Sequence, residues 1–384
     1  MVVIRGVSAR EVFDSRKEKT IYVSVKTNNG IFFASAPNGK SKGKHEAKSY
    51  RQSLEEDIKT LKKFSDYFSA EKIEEFDDLR RIEDIVNGHI GANSLFALQS
   101  AVLKAMAEEQ KKEIWELINP NAKKFPRLVG NCIGGGKHSQ TGKKPDFQEF
   151  LLIPELNLSE SFKMNKEIKK KLGFELKKTD DKFSGKKTDE DAWQTSLNER
   201  EILEKINNFK IPVGVDVASS SFYKRKNYHY ENPMITRNKE EQLEYNSNLI
   251  RNFNLFYIED PFNEEDFESF STLLKNFPNK LIVGDDLTVT NPSRLKKAIS
   301  MKSINAIIVK PNQIGSLIEM KEVCELAEKN NIKKVFSHRS GETEENILAD
   351  LAFGFQADFF KSGITGKERE IKIKRLIEIE KSLR

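Results

Sequence analysis

The sequence predicts an α/β barrel preceded by a smaller α+β capping domain, and two observations carry that expectation. Beyond residue 125, short apolar runs recur, and each closes on a charged or polar residue: IPVGVD on Asp216, FYIED carrying Glu259, LIVGDD on Asp285, INAIIVK on Lys310, KVFSH on His338 and FQADFFK on Lys361. From Glu259 on, the runs return roughly every 25 residues with helical patterns between them, which is the rhythm of repeated βα units in a parallel barrel. The first third has a different grammar, a hairpin followed by helices. Residues 1–125 are therefore expected to form the cap and residues 126–384 the barrel.

In chain order, Ile21–Lys26 alternates apolar and polar residues, Asn28-Asn29-Gly30 is a turn signal, and Ile31–Ala36 resumes an extended run. Strand, turn and strand make a hairpin. Residues 44–64 and 93–118 then space apolar side chains among good helix formers, and Asn119-Pro120 ends the second segment. Residues 166–187 are lysine-rich with interleaved acids, the pattern of a solvated face.

Composition excludes several classes. The 384 residues carry 65 Lys+Arg against 59 Asp+Glu, a net charge of +6, with no basic stripe interleaved with aromatics of the kind nucleic-acid readers present. No apolar run approaches the roughly 20 residues needed to cross a bilayer, and MVVIRGVSAREVF lacks the long apolar stretch of an export signal. A soluble cytoplasmic protein acting on a small molecule is expected, with no membrane or nucleic-acid partner. Cys132 and Cys324 are the only cysteines and are expected to be buried, inert thiols.

In a parallel barrel the C-terminal strand ends converge on one mouth, so the six charged or polar groups that follow the apolar runs are expected together there. Asp216, Glu259 and Asp285 would repel one another unless a cation sat between them, and an all-oxygen set suits Mg²⁺. Carboxylates capping the helices that follow are the competing reading. Lys310 beside such an ion would have a depressed pKa and suit a general base; an ion pair with a barrel carboxylate is its alternative. Divalent metal plus a lysine base is an established pattern for removing a proton next to a carboxylate. His338-Arg339-Ser340-Gly341 supplies a guanidinium fork and a hydroxyl, and Lys361 adds a cation. A small carboxylate bearing a phosphate is the substrate such a set would hold.

Longer strings make these positions specific. SAREVFDSR, PNGKSKGKHEA, GNCIGGGKHS, DFQEFLLIP, VGVDVASSSFY, YIEDPF, VGDDLTVTNPSRL, VKPNQIGSL, FSHRSGETE and FFKSGITGKERE occur in the order of the enolase family, which the chain resembles nearly end to end. The resemblance implies an enolase-type barrel and phosphopyruvate hydratase activity, with two Mg²⁺ ions per active site. It implies Asp216, Glu259 and Asp285 as ligands of one ion and Ser41 as approaching the other. It implies Lys310 as the base at C2 of 2-phosphoglycerate, Glu190 as the acid at the C3 hydroxyl, and Glu149 as its assistant beside Gln148. His138 would help enclose the substrate with His338 near it, Arg339 and Ser340 would clamp phosphate, and Lys361 would meet the carboxylate.

The sequence departs from the family pattern at telling places. Lys40 and Lys42 flank Ser41 in the loop, and Thr188 and Asp191 stand around Glu190 where glycines are usual. Glycine reaches backbone angles that Thr and Asp reach only at a cost. An acid that protonates a leaving hydroxyl must be neutral when it acts, so Glu190 is expected to have a raised pKa. Asp191 would help by repulsion, and Lys186 and Lys187 would oppose it. Tyr22 and Glu378 replace an ion pair that joins subunits in many enolases, yet a homodimer remains the expected state. An enolase-like enzyme for another carboxylate, and a non-catalytic binding protein, are the alternative functions.

Overall fold

The computed structural model describes residues 1–40 and 43–383. The cap opens with β1 (Val2–Phe13), β2 (Lys19–Thr27) and β3 (Gly30–Ser35), antiparallel neighbours in a sheet of order β3-β2-β1-β4. The helix α1 (Leu54–Lys63) is followed by the short edge strand β4 (Lys72–Ile73), then by α2 (Leu79–Val86), α3 (Ala92–Gln110) and α4 (Ile114–Ile118). The alternation of β2 buries Ile21, Val23 and Val25 completely against α3, which is itself buried on nearly every side.

The expected helix over 44–64 is present only from Leu54, where Ser53 accepts the Glu56 amide at 3.2 Å and starts α1. Described residues upstream run as a strap because their backbone groups bond elsewhere. The Ala47 amide donates to the Gln313 carbonyl at 3.0 Å, while the Ala92 and Asn93 amides donate to the carbonyls of Lys48 and Ser49 at 2.8 and 3.0 Å. Gly91 is required at that crossing, since a Cβ there would lie 2.3 Å from the Cα of Tyr50. Asp57, fully buried, fastens the strap by accepting from the amides of Arg51 and Gly91 and the hydroxyl of Ser94.

The barrel begins with β5 (Arg127–Gly134), β6 (Glu149–Leu152), α5 (Leu158–Thr179), α6 (Glu199–Asn207) and β7 (Val213–Asp216). Outside it lies a small antiparallel sheet of β8 (Tyr223–Lys224), β9 (Asn227–Glu231) and β10 (Met234–Arg237), followed by α7 (Lys239–Phe253). Then come β11 (Tyr257–Glu259), α8 (Phe267–Asn276), β12 (Leu281–Gly284), α9 (Pro292–Ser300), β13 (Ala306–Val309), α10 (Pro311–Ile314) and α11 (Leu317–Lys329). The chain ends with β14 (Lys333–Ser337), α12 (Ile347–Gly354), β15 (Phe359–Gly363) and α13 (Lys367–Ser382).

Eight strands close in the order β11-β12-β13-β14-β15-β5-β6-β7 around a plug that includes Val129, Leu151, Tyr257, Val283, Ile308 and Val335. The barrel is not uniformly parallel, contrary to the expectation. β6 runs antiparallel to both β5 and β7. Its start, not its end, therefore faces the mouth, and Glu149 sits across from Asp216. Cap and barrel share one core. At their joint Phe353 of α12 is fully buried, edge-on to Trp115 at 5.1 Å and stacked on Phe125 at 4.5 Å.

Phe353→Ala should remove this joint and leave a cavity, lowering stability by about 3–5 kcal/mol. Urea unfolding checks it, and a loss below about 1 kcal/mol would mean that the cap is held elsewhere.

Candidate active site

Asp216 closes β7, Glu259 closes β11, and Asp285, Lys310 and His338 each follow directly on β12, β13 and β14. Lys361 is the exception, lying in the middle of β15. Its buried ammonium still reaches the mouth, with Nζ 2.9 Å from Asp216 Oδ2 and 2.8 Å from Glu259 Oε2. Nζ also lies 3.2 Å from Glu149 Oε2, without hydrogen-bonding geometry. Burial opposes the Lys361 charge, but Asp216, Glu149 and Glu259 together hold its pKa well above the ordinary lysine value. Burial and the neighbouring Asp216 push the Glu259 carboxyl up to about 8, against the pull of Lys361.

Lys310 Nζ pairs with Asp285 Oδ2, and Gln313 donates to Asp285 Oδ1 at 3.2 Å. The ion pair that competed with the base reading is thus the geometry observed. Burial pulls the Lys310 pKa down, yet Asp285 outweighs it and leaves the value above normal. Burial would raise Asp285, and Lys310 more than offsets that. Asp260 and Asp286 were missed from the sequence. Asp260 turns away from Glu259 at φ 42° and accepts the amides of Asp285 and Asp286 at 3.0 and 2.7 Å, aiming the following loop. Only its place beside Glu259 in YIEDPF signalled it.

Across the mouth, β13 and β6 stand four strands apart in the eight-stranded ring, so Lys310 and Glu149 face each other from opposite walls. Glu149, Glu190 and His138 offer ligand atoms within 4.8 Å of one another. Asn131 Nδ2 donates to Glu190 Oε2 at 3.0 Å, and His338 Nε2 lies 3.5 Å from the same oxygen. Two carboxyls this close disfavour one another's ionised form. Burial, then Glu190, lifts Glu149 well above the usual range. Burial would lift Glu190 also, but His138 and His338 hold it well below, so the expected raised value lies on Glu149 instead. Burial keeps both imidazoles below the ordinary histidine pKa, against the opposing pull of Glu190.

Asp191 does not repel Glu190 as anticipated, because Lys169 and Lys187 pair with its carboxylate at 3.0 and 2.9 Å. Of the two unexpected neighbours, only Asp191 is in the left-handed region, at φ 61°. Thr188 serves instead as a turn cap, its hydroxyl accepting the Glu190 and Ala192 amides at 3.3 Å.

The anion-binding wall is more elaborate than HRSG suggested. The buried Arg339 guanidinium meets Glu46 Oε2 at 3.0 Å and Asn312 Oδ1 at 3.4 Å. Ser340 Oγ accepts from the Lys40 amide at 2.8 Å and from Arg16 at 3.0 Å. Gly39 lies against the guanidinium, where a Cβ would come 1.7 Å from Nη2. Lys40 Nζ then reaches Asp189 at 2.7 Å, joining this segment to the Glu190 loop. Ser41 lies outside the described residues. The other candidates from the sequence, Gln148 included, gather at this mouth. Cys132 and Cys324 are buried and free, their thiols pushed up to about 12 by burial.

The residues present fit a hard divalent cation. Asp216, Glu259 and Asp285 supply only oxygen donors, Gln148 Oε1 is buried without a partner beside them, and lysine ammoniums now lie among these carboxylates.

Residues 122–384 match the family described as "Enolase, C-terminal TIM barrel domain", and residues 4–118 match "Enolase, N-terminal domain". Proteins named Enolase are similar over nearly the whole chain. That of Methanosphaera stadtmanae is 36% identical, covering 99% of this chain and 97% of its own. That of Pyrobaculum aerophilum is 35% identical over 96% and 94%, and that of Picrophilus torridus 35% over 99% and 99%.

Glu46→Gln should remove the carboxylate charge that faces the buried Arg339 guanidinium and destabilise the fold by about 3 kcal/mol. An unchanged thermal midpoint would mean that Arg339 is fully compensated by its other partners.

Proposed function

The chain belongs to the enolase family, and we propose from that premise that its barrel mouth carries out the Mg²⁺-dependent dehydration of 2-phosphoglycerate to phosphoenolpyruvate. It is a hydro-lyase, phosphopyruvate hydratase, acting on a small molecule. The observation that carries the detailed reading is the opposition of Lys310 and the Glu149–Glu190 pair across one mouth, with buried carboxylates between them and Arg339 at the rim.

Asp216, Glu259 and Asp285 would hold Mg²⁺, which when bound supplies positive charge against the charge developing on the substrate carboxylate. A second ion is proposed near Ser41. Were Asp285 to hold the cation, Lys310 would lose its counter-charge; Lys310 acts as base, taking the C2 proton on Nζ. The C2=C3 double bond forms as the C3–O bond breaks, and the leaving hydroxyl takes a proton from the Glu149–Glu190 pair and departs as water. Glu190 delivers that proton, and Glu149 holds it in the resting site. Arg339 and Ser340 grip the phosphate, Lys361 meets the carboxylate, and Gln148, His138 and His338 line and orient the pocket.

The domain division proposed is a cap of residues 1–125 and a catalytic barrel of 126–384, acting as a homodimer in the cytoplasm. Among the described residues no helix is long and apolar enough to cross a membrane. Intact metal, base and clamp positions favour catalysis over the binding-only alternative.

Purified protein given 2-phosphoglycerate and millimolar Mg²⁺ should develop the ultraviolet absorbance of the enol product and lose it in excess chelator. A folded sample without turnover, or one indifferent to chelator, sinks this reading. Lys310→Ala should lower kcat by about 10²–10⁴-fold and stop exchange of the C2 hydrogen with deuterated solvent. Exchange that persists would assign the base elsewhere.

A further inference from the structure

Asp191 occupies a backbone conformation that glycine adopts freely and an L-residue does not, and the structure surrounds it with partners. Its φ is 61°. Its carboxylate meets Lys169 Nζ at 3.0 Å and Lys187 Nζ at 2.9 Å, and accepts from the hydroxyl of Thr365. Lys169 also donates to the Asp191 carbonyl and to Thr365 Oγ. All three ammonium hydrogens of Lys169 are thereby used on Asp191 and Thr365, and the Thr365 hydroxyl accepts from Lys169 while donating to Asp191.

Lys169 differs from its neighbours in the lysine-rich helix α5. Its side chain is 4% exposed, against 38% for Lys166 on the same helix. It reaches the loop under Trp193, whose indole N–H donates to the Lys169 carbonyl at 2.8 Å. From the opposite side β15 packs on the same turn so tightly that a Cβ on Gly363 would lie 2.5 Å from the Glu190 carbonyl oxygen. Arg369 Nη2 holds the Asp189 carbonyl at 2.9 Å. The turn thus points two adjacent acids apart, Asp191 toward α5 and Glu190 into the mouth beside Asn131 and His338.

We propose that Lys169 and Thr365 are positioning residues for the proton-donating carboxyl: by clamping Asp191 in the left-handed region they fix the direction in which Glu190 leaves the backbone. This rests on the role proposed above for the Glu149–Glu190 pair. A side chain released from the clamp lets residue 191 relax toward the right-handed region, and the Glu190 carboxyl swings from its place. A glycine at 191 holds the same angle unaided.

The test uses the full chain with Mg²⁺ and 2-phosphoglycerate. Lys169→Met should lower kcat for dehydration at least tenfold, leave KM within twofold, and leave Lys310-dependent C2 hydrogen exchange at the wild-type rate. Adding Asp191→Gly to Lys169→Met should restore kcat to within threefold of wild type, because glycine needs no clamp. Thr365→Val, which keeps shape and removes the hydroxyl, should show the same split more weakly, and it reads the clamp if Lys169→Met does not fold. Wild-type kcat in both single variants, equal loss of exchange and dehydration, or a double variant no better than Lys169→Met each overturns the proposal. Amide hydrogen exchange over residues 186–194 reads the clamp without turnover. It should quicken in the single variants, and unchanged exchange refutes the clamp even if the wild type proves inactive on this substrate.

Discussion

One ammonium, Nζ of Lys361, sits within 3.2 Å of carboxylate oxygens from three different strands, Glu149, Asp216 and Glu259. Like charges packed this densely, away from water, are tolerable only with cations between them, because removing one partner strands an unpaired buried charge. The rest of the mouth obeys the same constraint. Lys310 answers Asp285, Arg339 answers Glu46, and burial with the neighbouring Asp216 pushes the Glu259 carboxyl up to about 8. A mouth built this way is prepared for divalent charge, since a cation entering it takes over a role already filled by lysine.

The scaffold delivers these groups through two irregularities. The reversed β6 brings the start of a strand to a rim otherwise made of strand ends, which places Glu149 opposite Lys310 across the ring. The described strap just upstream of α1 forgoes helix so that its backbone can bond to α3 and to α10. Through Glu46, Gly39 and Lys40 the cap then reaches Arg339, Ser340 and Asp189 on the barrel. Cap and barrel therefore make one site, as their shared core around Phe353 makes one folding body.

The turn at Glu190 illustrates how a local rule can be broken and compensated. Asp191 in the left-handed region is unfavourable by itself, but Lys169, Lys187 and Thr365 convert it into an anchor. Its negative charge, which the sequence set beside the acid, is spent on those partners. Thr188 replaces backbone freedom with a hydroxyl that caps the same turn.

Read alone, the sequence determined the barrel, the hairpin of the cap and the charged groups that end its strands, because period, turn residues and strand-end position are local properties. Asp216, Glu259, Asp285, Lys310 and His338 were legible for that reason. Glu149, Glu190 and His138 were reachable only through family resemblance, since a reversed strand puts its charge before the apolar run and a loop has no period. Lys169 looked like one more solvated lysine, and Glu46 like part of a helix. Tertiary structure alone decided that Glu149 and Glu190 meet beside His138, which lysine is buried, and where the strap runs. Those outcomes depend on burial and on charges brought together from distant parts of the chain, and neither is written in the neighbourhood of any single residue.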